Sequence, residues 1–310
     1  MKFVVTGGAG FIGSNLVERL VKEGHEVIVL DNLHTGSLHN LKNLKISFIK
    51  GDSGEIEKIV EQIDGIFHLG IPSSSPMYKK RRELVFKAIE DWIKILEFVT
   101  KNKVKVVLAS TSSIYNGNPI PWREDMQIIP TDFYTEARYA MERIAKVYND
   151  LYGTKVIALR LFSVYGEKEE FKGEYANLVT QFILAALKGE TIKIFGDGTQ
   201  TRDFIYVQDV VDAFIKAMNS NIDFDVFNVG RGKNYSLNEV VAMVSRILNV
   251  EVKVKYVENP IKNYVWHTLA DTTKAEEKLG FKAKVDLEEG IRKIIPYYKK
   301  VVENLTTPSL

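Results

Sequence analysis

A chain of 310 residues, 45% hydrophobic and 26% charged, has the composition of a globular protein able to bury a large core. Its 42 basic and 40 acidic side chains are interspersed, and no basic run exceeds Lys79-Lys80-Arg81-Arg82, which argues against a nucleic-acid partner. Without cysteine there are no disulfides and no thiolate chemistry, no apolar run approaches ~18 residues, and Met1 to Val5 run straight into a glycine loop. No membrane span or signal peptide is therefore expected, and the cytoplasm is the expected compartment.

The first predicted strand, residues 3–5, leads into Thr6-Gly7-Gly8-Ala9-Gly10-Phe11-Ile12-Gly13 and a helical pattern over 12–23. Glycines at this spacing permit a tight turn and a close approach of backbone to a pyrophosphate, with helix N-terminal amides facing the phosphates. A second strand, 26–30, ends at Asp31, where a carboxylate accepts hydrogen bonds from ribose hydroxyls and repels a 2′-phosphate. NAD is favoured over NADP on that ground. Strands at 46–49, 65–69, 104–109 and 156–161 then alternate with helical spacing at 55–62, 84–101 and 134–152. This alternation predicts an α/β fold, a doubly wound parallel sheet of Rossmann type, with a smaller C-terminal substrate-binding α/β domain. Residues 1–165 are assigned to the first domain, with segments near 200–220 and 265–275 returning to it. Residues 166–310 are assigned mainly to the second, where glycine turns separate shorter predicted elements. His34 and His39 have no carboxylate or cysteine at ligand spacing, so no metal site is expected. Trp92, Trp122 and Trp266 read as packing residues, with Trp266 the best placed for a substrate role.

Several longer motifs carry a resemblance. They are Asp31-Asn32-Leu33-His34-Thr35-Gly36, Gly51-Asp52, Phe67-His68-Leu69-Gly70, Leu159-Arg160-Leu161-Phe162-Ser163-Val164-Tyr165-Gly166, the run from Ile194 through Arg202-Asp203-Phe204 to Val211, and Asn228-Val229-Gly230. Together the chain resembles the extended short-chain dehydrogenase/reductases, in particular the NAD-dependent epimerase/dehydratase group with its UDP-galactose 4-epimerases. The resemblance implies NAD contacts at Gly7, Gly10, Phe11, Ile12, Gly13, Asp31, Asn32, His34, Thr35, Gly36, Asp52, Ser53, Leu69, Gly70 and Ile71, and at Tyr134 and Arg138. It also implies a homodimer through helices that correspond to 86–99 and 140–151.

In the same register, Thr111 matches the family's catalytic Ser/Thr, and Tyr134 its tyrosine base. Arg138 stands where the family has lysine; Ala140 and Glu142 fix this alignment. An ordinary phenol, with pKa near 10, needs roughly 4 kcal/mol of differential stabilisation to ionise at neutral pH. A guanidinium supplies the charge but not the compact geometry of an ammonium. Three readings of Arg138 stay open: a working charge substitute, a site tuned to another substrate or cofactor pose, and an idle enzyme. Under the first, Arg138→Lys is expected to preserve or raise turnover. Ser112 and Ser113 occupy positions where family dehydratases carry Asp-Glu and decarboxylases commonly carry Glu at the second, which disfavours dehydration and, less strongly, decarboxylation. The resemblance assigns substrate contacts to Ser112, Ser163, Asn177, Leu178, Phe195, Arg202 and Lys262. Ala88, Ser163, Glu167 and 261–264 depart from the family pattern. The expected activity is NAD-dependent epimerisation at C4 of a UDP-sugar. The alternatives are a nucleotide-sugar dehydrogenase, reductase or decarboxylase, and an NAD-bound protein with reduced or no catalysis.

Overall fold

The computed structural model of the chain describes residues 1–59 and 62–306, with side chains through 304. The apolar runs of the first half form β1 (Lys2–Thr6), β2 (Glu26–Asp31), β3 (Ser47–Lys50), β4 (Gly65–His68), β5 (Lys105–Thr111) and β6 (Val156–Leu161). Between them lie α1 (Phe11–Lys22), α2 (Ser75–Lys80), α3 (Leu84–Asn102) and α4 (Phe133–Tyr152). The second half contributes β7 (Ser163–Tyr165), α5 (Leu178–Lys188), β8 (Ile192–Phe195), β9 (Thr201–Tyr206), α6 (Val207–Asn219), β10 (Phe224–Val229), β11 (Asn234–Ser236), α7 (Leu237–Leu248), β12 (Val254–Val257), α8 (Thr273–Leu279) and α9 (Leu287–Thr306).

Seven strands make one parallel sheet in the order β10-β6-β5-β4-β1-β2-β3. Strands buried on both faces must be apolar on both, which is why they appear in the sequence as unbroken Val/Ile/Leu runs. Phe3, Val5, Val29, Phe67 and Val107 pack on one face with Leu16 of α1 and Phe214 of α6. Val4, Ile28, Ile66 and Leu108 pack on the other with Trp92, Ile95 and Leu96 of α3 and Met141 of α4. A β11-β9-β7 sheet and a β12-β8 pair, with α5, α7 and α9, form the smaller part.

Two expectations are corrected. Residues 55–62 do not form an α-helix: a 3-10 helix spans Ser53–Lys58 with non-helical geometry at Glu55, and residues 60 and 61 lie outside the described residues. The cause is local. Asp52 and Glu55 close a capping box, with Glu55 accepting the Asp52 amide at 2.8 Å, while Gly54 packs so tightly on Asp91 that a Cβ would lie 2.2 Å from its carboxylate. The second half also holds longer elements than its glycine turns suggest, including α6 with 13 residues and α9 with 20. Strand β10 pairs along its length with β6, so the chain returns to the large sheet after building most of β7 through α6.

Asp203 at the start of this return is fully buried and accepts the amides of Arg231 at 2.7 Å, Gly232 at 2.9 Å and Ala270 at 3.0 Å. Burial pushes its carboxyl up to about 6 against the pull of those amides. One side chain thereby ties β9 to two separate segments, 231–232 and the one at Ala270.

Candidate active site

The carboxyl ends of the large sheet's strands open on a cleft of about 780 Å³. Its floor is the glycine loop. Gly7 has φ +68°, and a Cβ there would meet Gly70 N at 2.6 Å; a Cβ on Gly13 would lie 2.1 Å from Gly7 O. Gly10 is the N-cap of α1 and offers no side chain, so the first-turn amides have no side-chain cap and face a ligand. Asp31, buried at the end of β2, accepts the amides of Ala9 at 2.9 Å and Leu33 at 2.7 Å, which leaves lone pairs toward the cleft. Burial raises its pKa, opposed by those two amides. Asn32 donates to Asp52 at 2.8 Å, joining two further lining residues. A loop that excludes Cβ atoms, bare helix amides and an accepting carboxylate together fit a dinucleotide's pyrophosphate and ribose. Gly13→Ala is expected to weaken NAD binding by about tenfold or more, because backbone must move to admit the methyl; a thermal-shift titration checks it.

The other half of the cleft is lined by Thr111, Tyr134 and Arg138. Thr111 ends β5, and its Oγ1 accepts the Ser113 amide at 3.2 Å, which leaves the hydroxyl proton free to donate. Tyr134 and Arg138 lie one turn apart on α4, whose start is set by a capping box between Asp132 and Thr135. Arg138 is buried: Nη1 donates to Ala109 O at 2.5 Å and Nη2 to Pro72 O at 3.1 Å, with Cζ 5.2 Å from the centre of the Tyr134 ring. The guanidinium is thus both a charge beside the phenol and a strap across two strand ends. Arg138→Lys would ask one ammonium to serve both carbonyls that the two terminal nitrogens now hold.

Glu142 continues the same stripe of α4 one turn further on. It takes Arg160 of β6 bidentately, with Nη2 to Oε2 at 2.7 Å and Nε to Oε1 at 3.1 Å, and accepts the Ser110 hydroxyl of β5 at 2.5 Å. Arg160 also donates to Tyr115 Oη at 2.6 Å, which donates to Asn228 at 2.8 Å. Burial and then Glu142 act in opposition on Arg160, and its pKa is raised on balance. The pair locks α4 to β5 and β6 directly behind Thr111.

His68, at the end of β4, is buried and stacked on Trp92 with ring centroids 5.3 Å apart. Thr6 Oγ1 accepts the amides of Leu69 and Gly70, so its own proton goes to His68 Nδ1 at 2.7 Å, and the ring carries hydrogen on Nε2. Burial, then the nearby Arg138 charge, lowers its pKa to about 3. A depressed pKa contributes stability above the unfolded value of about 6.5 that is lost as pH falls toward 3. Between pH 6.5 and 4 the wild type is expected to lose about 3 kcal/mol more stability than His68→Gln, measured by urea unfolding at each pH.

Of the residues assigned to substrate, Ser112, Ser163, Asn177 and Arg202 line the cleft. Asn177 caps α5, accepting the Val179 amide at 3.0 Å, and its NH₂ group is left for a ligand. Arg202 donates to the carbonyls of Thr201 and Trp266 and lies 5.3 Å from the Tyr264 ring centre. Leu178, Phe195 and Lys262 do not line it. Leu178 packs on the small-domain core, Phe195 is 38% exposed on β8, and Lys262 is exposed. Trp92 and Trp122 are buried, and Trp266 stands edge-on to Tyr264. Every residue assigned to NAD lines the cleft. Sequence reasoning did not assign Lys79, Arg81, Glu169, Lys172, Tyr175, Asn263 or Tyr264 to cofactor or substrate, and all of them line the cleft. None of these has a motif, although the basic run at 79–82 was a signal of charge.

The family model described as NAD dependent epimerase/dehydratase family matches residues 3–230. The chain is similar to the UDP-glucose 4-epimerase of Thermotoga maritima, solved with UDP-glucose, at 33% identity and TM-score 0.92 over 97% of this chain and 100% of that one. It is similar to the Thermus thermophilus UDP-glucose 4-epimerase, solved in complex with NAD, at 29% identity and TM-score 0.87 over 96% and 99%. A UDP-N-acetyl-alpha-D-glucosaminuronate decarboxylase of Bacillus cytotoxicus is 31% identical over 318 residues, covering 96% of this chain and 98% of that protein. With the glycine loop, Asp31 and the Thr111–Tyr134 cleft on one Rossmann sheet, the chain belongs to the NAD-dependent epimerase/dehydratase family of nucleotide-sugar enzymes.

Proposed function

We propose that the protein is an NAD-dependent 4-epimerase of a UDP-sugar. The observation that carries this reading is a single cleft lined at once by the glycine loop and Asp31, by Thr111, Tyr134 and Arg138, and by Ser163, Asn177 and Arg202. The loop and Asp31 fit NAD, which when bound supplies a hydride acceptor and donor. Tyr134 as phenolate takes the proton of the sugar 4-hydroxyl and returns it at the end of the cycle. Thr111 donates its free hydroxyl proton to the same sugar oxygen. Arg138 sets a positive charge against the Tyr134 ring. Arg202 and Asn177 bind the diphosphate, the guanidinium through its remaining donors.

Likeness to the two epimerases, one solved with UDP-glucose and one with NAD, supports the substrate class, while the decarboxylase relative supports a second chemistry on the same frame. Ser112 and Ser113 favour epimerisation, because neither supplies a carboxylate beside Thr111. The homodimer belongs to this reading too: Phe86 and Ile93 of α3 and Val147 and Leu151 of α4 are exposed apolar side chains on neighbouring helices. The test is incubation with UDP-, dTDP- and GDP-sugars, including UDP-glucuronate, followed by chromatography of sugars and bound cofactor. Interconversion of UDP-glucose and UDP-galactose without net NADH is the expected result. Release of CO₂ from the uronate, or stoichiometric NADH, replaces the reading with decarboxylation or dehydrogenation.

A further inference from the structure

Behind the wall of the cleft, the short helix α2 presses Tyr78 into the Tyr134–Arg138 pair. Tyr78 is fully buried with Met77, Leu84, Tyr134 and Ala137, and its ring centre lies 5.5 Å from that of Tyr134. Helix α2 is held there by Ser75, which donates to the Asp132 carboxylate at the cap of α4 at 2.5 Å. Two polar atoms of this cluster have no hydrogen-bond partner: Tyr78 Oη and Arg138 Nε. Arg138 Nε–H can only donate, the Tyr78 hydroxyl can accept as well as donate, and buried polar atoms are costly to leave unpaired.

We infer that Tyr78 is a positioning residue for the reaction, its hydroxyl oxygen serving as the third acceptor that holds the Arg138 guanidinium against Tyr134. The carbonyls of Ala109 and Pro72 take the two terminal nitrogens and fix one edge of the planar fork. A planar group held at one edge can still rock. An acceptor on the Nε side stops that motion and keeps the positive charge over the ring as the phenolate forms. Burial raises the Tyr78 phenol to about 12, with Arg138 pulling against it, so Tyr78 is a neutral hydroxyl through the working range of pH.

Arg138 Nε, a buried donor without a partner, faces Tyr78 from α4. Tyr134 and Arg138 face it from α4, and Asp132 at the α4 cap is already engaged by Ser75 and Thr135. His68 of β4, on the far side of Arg138, is held neutral. Tyr175, packed against the same cluster, has its oxygen taken by Lys80, and α3 presents apolar Leu84 and Val85.

The inference rests on Tyr134 being the base, and the experiment separates the two. Tyr78→Phe removes one oxygen and keeps the volume. The expected result is a kcat lower by about tenfold with KM for the nucleotide sugar within about twofold. In a cycle with Arg138→Lys, the double variant is expected to be no slower than Arg138→Lys alone, since Tyr78 acts through the guanidinium. Unchanged kcat in Tyr78→Phe, a KM that rises in step with the fall in kcat, or losses that multiply in the double variant, overturn the inference while Tyr134→Phe stays inactive. Turnover by Tyr134→Phe overturns the base assignment itself. A melting curve for each variant separates these outcomes from misfolding.

Discussion

Turnover by Tyr134→Phe is expected to fall by roughly 10²–10⁴-fold, the contribution of a positioned base to proton transfer. The phenyl ring keeps the contacts that hold the residue, 5.2 Å to Arg138 Cζ and 5.5 Å to the Tyr78 ring centre, so melting temperature and NAD binding are expected to change little. Steady-state and single-turnover rates on the converted nucleotide sugar provide the measurement. A variant that retains wild-type kcat removes Tyr134 from the chemistry.

Glu142→Ala is expected to cost about 3–5 kcal/mol of stability, because Arg160 then stands buried with its charge uncompensated. Side chains at this pair are 5% and 3% exposed, so solvent cannot take over. Ser110 loses its partner as well. Denaturant unfolding of the variant checks the size of the effect, and a smaller loss in Glu142→Met/Arg160→Met shows that the unpaired charge, not the missing contacts, is responsible. Activity in Glu142→Ala is expected to fall beyond what the unfolded fraction explains. Glu142 and Arg138 share one stripe of α4, and a shift of that stripe moves Tyr134 relative to Thr111.

The parallel sheet was legible because each of β1, β2, β5 and β6 is apolar on both faces, which a sequence shows directly. The glycine loop and Asp31 were legible for a similar reason: their chemistry is local, and a strand end with its turn suffices to describe it. Residues 55–62 misled because helical spacing of Ile56, Ile59 and Ile63 is shared by an irregular segment that buries the same three side chains. Leu178, Phe195 and Lys262 show another limit. A motif fixes where a residue lies along the chain, but the direction of its side chain depends on which core its element packs against. The partners of Arg138 were illegible for a deeper reason. Main-chain carbonyls at Ala109 and Pro72 carry no side-chain signature, and they come within reach only once β5 and the turn after β4 lie side by side. Tyr78 was hidden likewise, since a tyrosine in a short polar helix reads as surface until that helix docks on α4.

The return of the chain to the large sheet bears on how such enzymes can be recombined. After β7 and β9 in the small part, α6 and β10 pack on the sheet; after β11, α7 and β12, residues through Phe281 go back to it again, with Ala270 bridged to Trp122. No single cut in the chain separates the wall that holds the cofactor from the wall that holds the sugar. Removal of everything beyond residue 165 would strip β6 of its β10 neighbour and Tyr115 of Asn228, so residues 1–165 do not form a closed unit by themselves. An exchange of segments with a relative therefore has to leave these returns to the large sheet intact.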